Sequence, residues 1–341
     1  MVELQNRSAM ARETAEIPEA TERLLAQDRL FARIAERIEQ ARPRVVVFCG
    51  RGSSGHAGVY LRYMFEGRLC ILGSAAAPSI MTAYQSPPDL RGALWIVISQ
   101  SGQSPDLVTA TQMARRAGAL TLAIVNDEAS PAAAASEIVL PIGAGHERSV
   151  AATKTVATSM IAGARLVAEL ARDAGLRDAL HGLPRRMTAA LGCDWSAWSN
   201  SAASAPAAFV VSRGYGLGPA REIALKLAET LGVPALGYSA AELRHGPRAS
   251  VNAKTPVLLL RQGDATATAV DEVARDLRRG SDLVFSAGGV VGTLPWIGDG
   301  HPAVDPVLML LPAYRAIEVA ARRQGLNPDN PPHLSKVTHT L

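Results

Sequence analysis

Glu222, Lys226 and Glu229 recur at i, i+4 and i+7 in the run Glu222-Ile-Ala-Leu-Lys-Leu-Ala-Glu229, and His245-Gly-Pro247 begins sixteen residues after Glu229. On a helix these three charged residues share one face. A carboxylate held there acts as a general base if partial burial raises its pKa. An imidazole with an ordinary pKa near ~6.5 suits moving protons on and off a sugar oxygen, and Gly-Pro leaves little bulk beside His245. Two serine-rich loops lie upstream, Gly50-Arg-Gly-Ser-Ser54 and Ser99-Gln-Ser-Gly-Gln-Ser104, each directly after an apolar run. Anion-binding loops and an acid/base pair together are the parts needed for proton transfer on a phosphorylated metabolite.

Each feature also has a plain structural reading. By spacing alone, the charged row is a solvated salt-bridge ladder. Against that, Ala224, Leu225, Leu227 and Ala228 make the rest of the segment apolar. Serines commonly cap helices and shape turns. Two serine loops after neighbouring strands favour a ligand site, because ligands of open α/β sheets collect where strands end and helix N-termini present free N–H groups. Ser53, Ser54, Ser99, Ser101 and Ser104 fall there. A third segment, Glu147-Arg-Ser-Val-Ala-Ala-Thr-Lys154, precedes a helix predicted from Thr155 to Arg172 and offers amides and the Thr153 hydroxyl to the same anion site. Gly50-x-Gly52 lacks the third glycine and the later acid of a dinucleotide fingerprint. No histidine pair has helical metal spacing, so neither metal nor cofactor is expected.

The elements that must position these residues follow from periodicity. Leu24, Leu25, Leu30, Phe31, Ile34 and Ile38 form one apolar face between Glu19 and Arg42, which predicts an N-terminal helical segment over 1–42. Strands are predicted at Val45–Phe48, Cys70–Leu72, Leu94–Ile98, Leu120–Val125 and Ile138–Leu140, with helical stretches between most of them. That alternation implies a parallel sheet covered on both faces. The pattern then repeats. Val46 to Gly52 is echoed by Phe209 to Gly214, Trp95 to Gly102 by Pro256 to Gly263, Ala119 to Val125 by Ser281 to Ala287, and Val139 to His146 by Thr293 to His301. Four echoes in one order argue for duplication. The expected architecture is two tandem doubly wound α/β domains, 43–194 and 195–325, joined through small residues from Ser196 to Ala208, with a tail over 326–341. The first copy keeps its serines and is the expected phosphate binder; the second supplies the charged helix and the His245 loop.

Bulk properties narrow the class. At 341 residues the chain has room for two domains. Its net charge of +4 is interspersed rather than clustered, which argues against a nucleic-acid surface and fits a small anionic substrate. Cys49, Cys70 and Cys193 have no metal-ligand spacing and read as thiols in a reducing compartment. No secretory signal or membrane-spanning run is evident, so a cytoplasmic protein is expected.

Six ordered motifs resemble the double sugar-isomerase (SIS) domain proteins, including the isomerase half of glucosamine-6-phosphate synthase. They are Cys49 to Ser54, Ser99 to Ser104, Val150 to Lys154, Ala224 to Glu229, Glu242 to Pro247 and Leu334 to Val337, and the likeness runs from Met10-Ala-Arg-Glu13 to the tail. The resemblance implies flavodoxin-like SIS folds and sugar-phosphate binding by Ser53, Ser54, Ser99, Gln100, Ser101 and Ser104, with contributions from Val150 and Ala152. Ala152 departs from the synthase, which has a serine there. It also implies that Glu229 is the base shuttling a proton between C2 and C1, that Lys226 and Glu222 support it, and that Lys336 closes over the substrate. His245 is then the ring-opening histidine, supplied by the neighbouring subunit of a homodimer. About forty residues precede the first sugar domain, which is too few for a glutaminase. The expected reaction is therefore that of the free-standing glucosamine-6-phosphate deaminases, yielding fructose 6-phosphate and ammonia. The alternatives are the same chemistry on galactosamine 6-phosphate or a fructosamine 6-phosphate, and a non-catalytic sugar-phosphate sensor. A sensor usually carries a basic DNA-binding helix, which this chain does not show.

Overall fold

The computed structural model describes residues 7–289, 292–298 and 300–336. The contacts divide them into two compact units, one of residues 19–146 and 154–181, the other of 7–18, 147–153 and 182–336.

The first unit is built on five parallel strands: β1 (Val45–Cys49), β2 (Leu72–Ala75), β3 (Ala93–Ser99), β4 (Leu120–Val125) and β5 (Ile138–Pro141). Their order is β2-β1-β3-β4-β5. β3 is central and every one of its seven residues is buried, as expected of a strand covered on both faces. Trp95, Val97, Leu107, Ala110, Ala114 and Ala123 pack together on one side of the sheet. β1 pairs with β3 through Cys49 opposite Val97, so the loops that follow both strands emerge at the same carboxyl edge. The amphipathic face predicted near the N-terminus is present: Phe31, Ile34 and Ile38 are buried on the helix Asp28–Ala41.

The second unit repeats the plan with β6 (Ala208–Ser212), β7 (Ala235–Ser239), β8 (Val257–Leu260) and β9 (Val284–Ala287), all parallel and ordered β7-β6-β8-β9. A single parallel bridge from Ala287 to Leu294 stands where β5 stands in the first sheet. Phe209, Val211, Leu243, Val257, Leu259, Val270 and Leu277 share its core.

Three details differ from the sequence reading. The strand expected at Cys70–Leu72 begins at Leu72 instead, because the helix Gly52–Leu69 continues to Leu69 and turns off at Cys70 in the left-handed conformation (φ 54°). β7 has no apolar run to announce it: it is an edge strand with no fully buried residue. The supposed small-residue joint, Ser196 to Ala208, holds the helix Ser196–Ala203, and its Trp198 is fully buried. Six small or hydroxyl-bearing residues around one large anchor read as a linker by composition but pack as a helix.

Candidate active site

In the first unit, the loops after β1 and β3 form one constellation. The chain leaves β1 through Gly50, where a Cβ would stand 2.9 Å from the Ser54 carbonyl carbon. It then enters the helix Gly52–Leu69 without a side-chain cap. Ser53 and Ser54 lie half-buried in its first turn. After β3, the buried Ser99 hydroxyl accepts from Gly102 N–H at 3.1 Å and the Ser101 hydroxyl accepts from Gln103 N–H at 3.2 Å. Gly102 has φ +63°, and a Cβ on it would meet Ser130 Oγ at 2.2 Å; only glycine fits this turn. Ser104 stands at the N-cap of the helix Pro105–Arg116 but makes no side-chain capping bond. The capping explanation therefore fails for Ser104, while Ser99 and Ser101 do shape their turn. Gln100 is half-buried between them.

Sequence reasoning missed what ties these loops together. Arg51 donates from Nε (3.0 Å) and Nη2 (2.8 Å) to Asp106 Oδ2. Asp106 is buried, while the Arg51 side chain is 55% exposed. The pair fastens the β1 loop to the helix that follows the β3 loop and leaves part of the guanidinium exposed. The separation of fifty-five positions from Arg51 to Asp106 hides the pairing from any local pattern.

In the second unit, the helix Leu217–Leu231 carries the charged row, and it is not the solvated ladder that its spacing suggests. Glu222 and Lys226 have no exposed side-chain surface, and Glu229 keeps 22%. Lys226 Nζ donates to Glu229 Oε2 and lies 3.4 Å from Glu222 Oε1. The Tyr314 hydroxyl, from the helix Leu310–Arg323, donates to Glu222 Oε1 at 3.3 Å. Burial alone would lower the Lys226 pKa, but the two glutamate charges and their hydrogen bonds raise it above that of an ordinary lysine. Lys226 therefore stays protonated. Burial, and then the charge of Glu222, lift the Tyr314 phenol well above its usual value, with Glu147 and Glu229 adding to it. The row is a fixed buried cation between two carboxylates, one of which reaches solvent.

His245 follows the short helix Ala240–Leu243 and is exposed. Its backbone N–H donates to Glu242 O at 3.0 Å, and the turn continues through Gly246 at φ 143°. Flanking ion pairs, Arg244 to Glu272 at 3.3 Å and Arg248 to Asp276 at 3.0 Å, pin this loop to the helix Ala267–Leu277. The imidazole is thus presented outward from an anchored turn.

The segment 147–153, with Val150, Ala152 and Thr153, belongs to the second unit. The Val150 N–H donates to Asp329 O at 3.0 Å. Asp329 in turn accepts from the N–H groups of Ala9 (2.7 Å) and Met10 (2.8 Å). Ala152 is half-buried. Lys336 donates to Glu147 Oε2 at 3.2 Å and to Ser149 O at 2.6 Å, and Glu147 Oε1 accepts from Thr153 N–H at 3.1 Å. Glu13 accepts from the N–H groups of Arg148 and Ser149. Burial raises its pKa; the Arg148 N–H acts against this, and the Glu147 charge adds to it. The N-terminal helix, the 147–153 segment and the tail are thus laced by Glu13, Glu147, Asp329 and Lys336. Val337, the last residue of the tail motif, lies outside the described residues. Among the described residues, no cluster of His, Cys, Asp or Glu is placed to hold a metal ion, and no helix is long and apolar enough to cross a membrane.

A glutamine–fructose-6-phosphate aminotransferase (isomerizing) of Halobacterium salinarum is 33% identical over 313 residues, which make up 85% of this chain and 51% of that protein. The chain spans about half the length of the curated relatives it matches. A Silicibacter pomeroyi protein described as a candidate phosphosugar isomerase superposes with a TM-score of 0.90 at 39% identity, covering 95% of this chain and 100% of its own. A glucosamine-6-phosphate deaminase of Thermotoga maritima shares the fold, with a TM-score of 0.79 at 21% identity over 98% of this chain and 100% of that one. The sequence pattern of the SIS domain matches residues 38–168 and 203–284. Because that pattern recurs on each of its parallel sheets, this chain belongs to the SIS domain family.

Proposed function

We propose that this protein is a cofactor-independent phosphosugar isomerase that acts on an amino sugar and releases the amino group: glucosamine 6-phosphate and water give fructose 6-phosphate and ammonia. The observation that carries this reading is the charged row on Leu217–Leu231. It keeps one carboxylate, Glu229, accessible at the end of a buried, protonated lysine. A base of this kind removes and returns a carbon-bound proton without itself being displaced.

In the proposed sequence, His245 opens the pyranose ring, and its outward position suits delivery from one protomer of a homodimer to its partner. Glu229 takes the C2 proton, and the electron pair moves onto the C1 carbonyl oxygen to give an aminoenolate. Lys226 or Lys336 balances that charge. Glu229 returns the proton to C1, leaving the C2 imine, and water adds there to expel ammonia. Ser53, Ser54, Ser99, Gln100, Ser101 and Ser104 hold the sugar phosphate through hydroxyls and loop amides. This arrangement needs no metal or cofactor.

The test is ammonia and fructose 6-phosphate production from glucosamine 6-phosphate, with galactosamine 6-phosphate and N-acetylglucosamine 6-phosphate alongside. Turnover of the glucosamine compound is expected, and Glu229→Gln should slow it by about 10²–10⁴-fold. Isomerisation without ammonia release would retain the isomerase and discard the deaminase. Binding of sugar phosphates without turnover would discard both in favour of a sensor.

A further inference from the structure

We propose that Tyr314 is a positioning residue for Glu229, acting on it through Glu222 and Lys226. The inference rests on the isomerase reading above and names what holds its base in place.

Tyr314 is fully buried on Leu310–Arg323, among the equally buried Leu310, Leu311, Ala313 and Ile317. A hydroxyl in such a setting is costly unless it is bonded, and this one spends its proton on Glu222 Oε1 at 3.3 Å. Glu222 is also without exposed surface, and Lys226 Nζ lies 3.4 Å away. The Lys226 ammonium therefore serves both carboxylates, and it sits closer to Glu229 than to Glu222. A phenol donating to Glu222 meets part of that carboxylate's demand and leaves the ammonium engaged with Glu229. Without the donor, the buried Glu222 draws Lys226 toward itself, and Glu229 loses both its orientation and its neutralising partner. Among the described residues, Glu222, Glu147 and Glu229 act on Tyr314, and Glu222 and Glu229 act on Lys226.

Tyr314→Phe removes the donor and keeps the ring. The readout is a carboxyl-carbon NMR titration of Glu229, assigned with Glu229→Gln. Loss of the lysine partner should move the Glu229 titration to higher pH. In turnover, kcat near neutral pH should fall about tenfold with KM little changed, and the acid limb of the rate profile should move to higher pH. Once Glu222→Gln is in place, adding Tyr314→Phe should cost almost nothing further, because both act through the same link. An unmoved Glu229 titration, or independent losses in the double variant, would overturn the proposal. If Tyr314→Phe does not fold, 3-fluorotyrosine at 314 keeps the hydroxyl as a stronger donor. It should move the Glu229 titration downward, and no movement again overturns the idea. A protein that turns over no phosphosugar refutes the isomerase reading alone, since the titration needs no substrate.

Discussion

The loops after β1 and β3 have counterparts after β6 and β8, at the same positions in two sheets of like strand order, yet the two pairs are finished in opposite ways. In the first pair, Ser104 stands uncapping at its helix start and the half-exposed Arg51 reaches across to Asp106. In the second, Gln262 is buried. It donates to Arg213 O and to Thr266 Oγ1 at 2.8 Å, while Ser212 donates to Leu260 O at 2.8 Å. A Cβ on Gly216 would stand 2.0 Å from Ser212 Oγ. The second pair is filled by its own side chains. The helices that follow β1 and β6 differ in the reverse sense: Gly52–Leu69 buries Tyr60, Leu61, Met64 and Phe65, whereas Leu217–Leu231 buries Glu222 and Lys226. Duplication supplied two equivalent frames. Divergence left the open loops in one and the buried charges in the other.

The sharpest way to break this contrast is at the charged helix. Lys226→Met keeps the bulk but removes the buried ammonium that contacts both Glu222 and Glu229, and should lower unfolding stability by about 3–5 kcal/mol in urea titration. A loss under about 1 kcal/mol would mean that the row is screened by solvent after all. The filled loops come next. Gln262→Ala removes the partner of buried groups and should cost about 1–3 kcal/mol without altering sugar-phosphate affinity.

A third measurement separates the two frames by pH. Burial pushes the Cys49 thiol at the end of β1 up to about 12 from 9.0, and Lys226 is also raised from its ordinary 10.5. For both groups the folded pKa exceeds the unfolded one. Their stabilisation is therefore full below the ordinary values and is lost as pH climbs from those values through the raised folded ones. From pH ~8 to ~10.5, Cys49 alone should account for a fall of about 1–2 kcal/mol in urea titration. Cys49→Ala should flatten that fall, leaving the part due to Lys226 at higher pH. The smallest stability effect belongs to Ser104→Ala. A hydroxyl that caps nothing should be removable within about 0.5 kcal/mol, while sugar-phosphate affinity drops about five- to tenfold for the loss of one hydrogen bond. The opposite pattern would return the serines to a purely structural role.

Much of the frame could be read directly. β1, β3, β4 and β8 are apolar runs because both faces of a parallel sheet are covered. The echo between the two copies implied duplication, and the two sheets have like strand orders. The edge strands β2 and β7 were misplaced or missed, since half-exposed strands need no apolar signature. At the site, the serine loops and the row Glu222, Lys226 and Glu229 could be named from spacing. Whether that row was buried could not, because a ladder at i, i+4 and i+7 has the same sequence in water as in a core.

The sequence by itself determined two α/β repeats, the chemical types at each loop and helix face, and the family. Local order carries that information through hydrophobic period and motif spacing. Only the tertiary structure decided that Lys226 is buried and charged, that Tyr314 donates to Glu222 from ninety-two residues away, and that Arg51 meets Asp106. It also decided that Lys336 lies on Glu147 across a separation of 189 residues. Such pairings depend on which faces pack together, and burial sets the strength of a charge only once that packing exists.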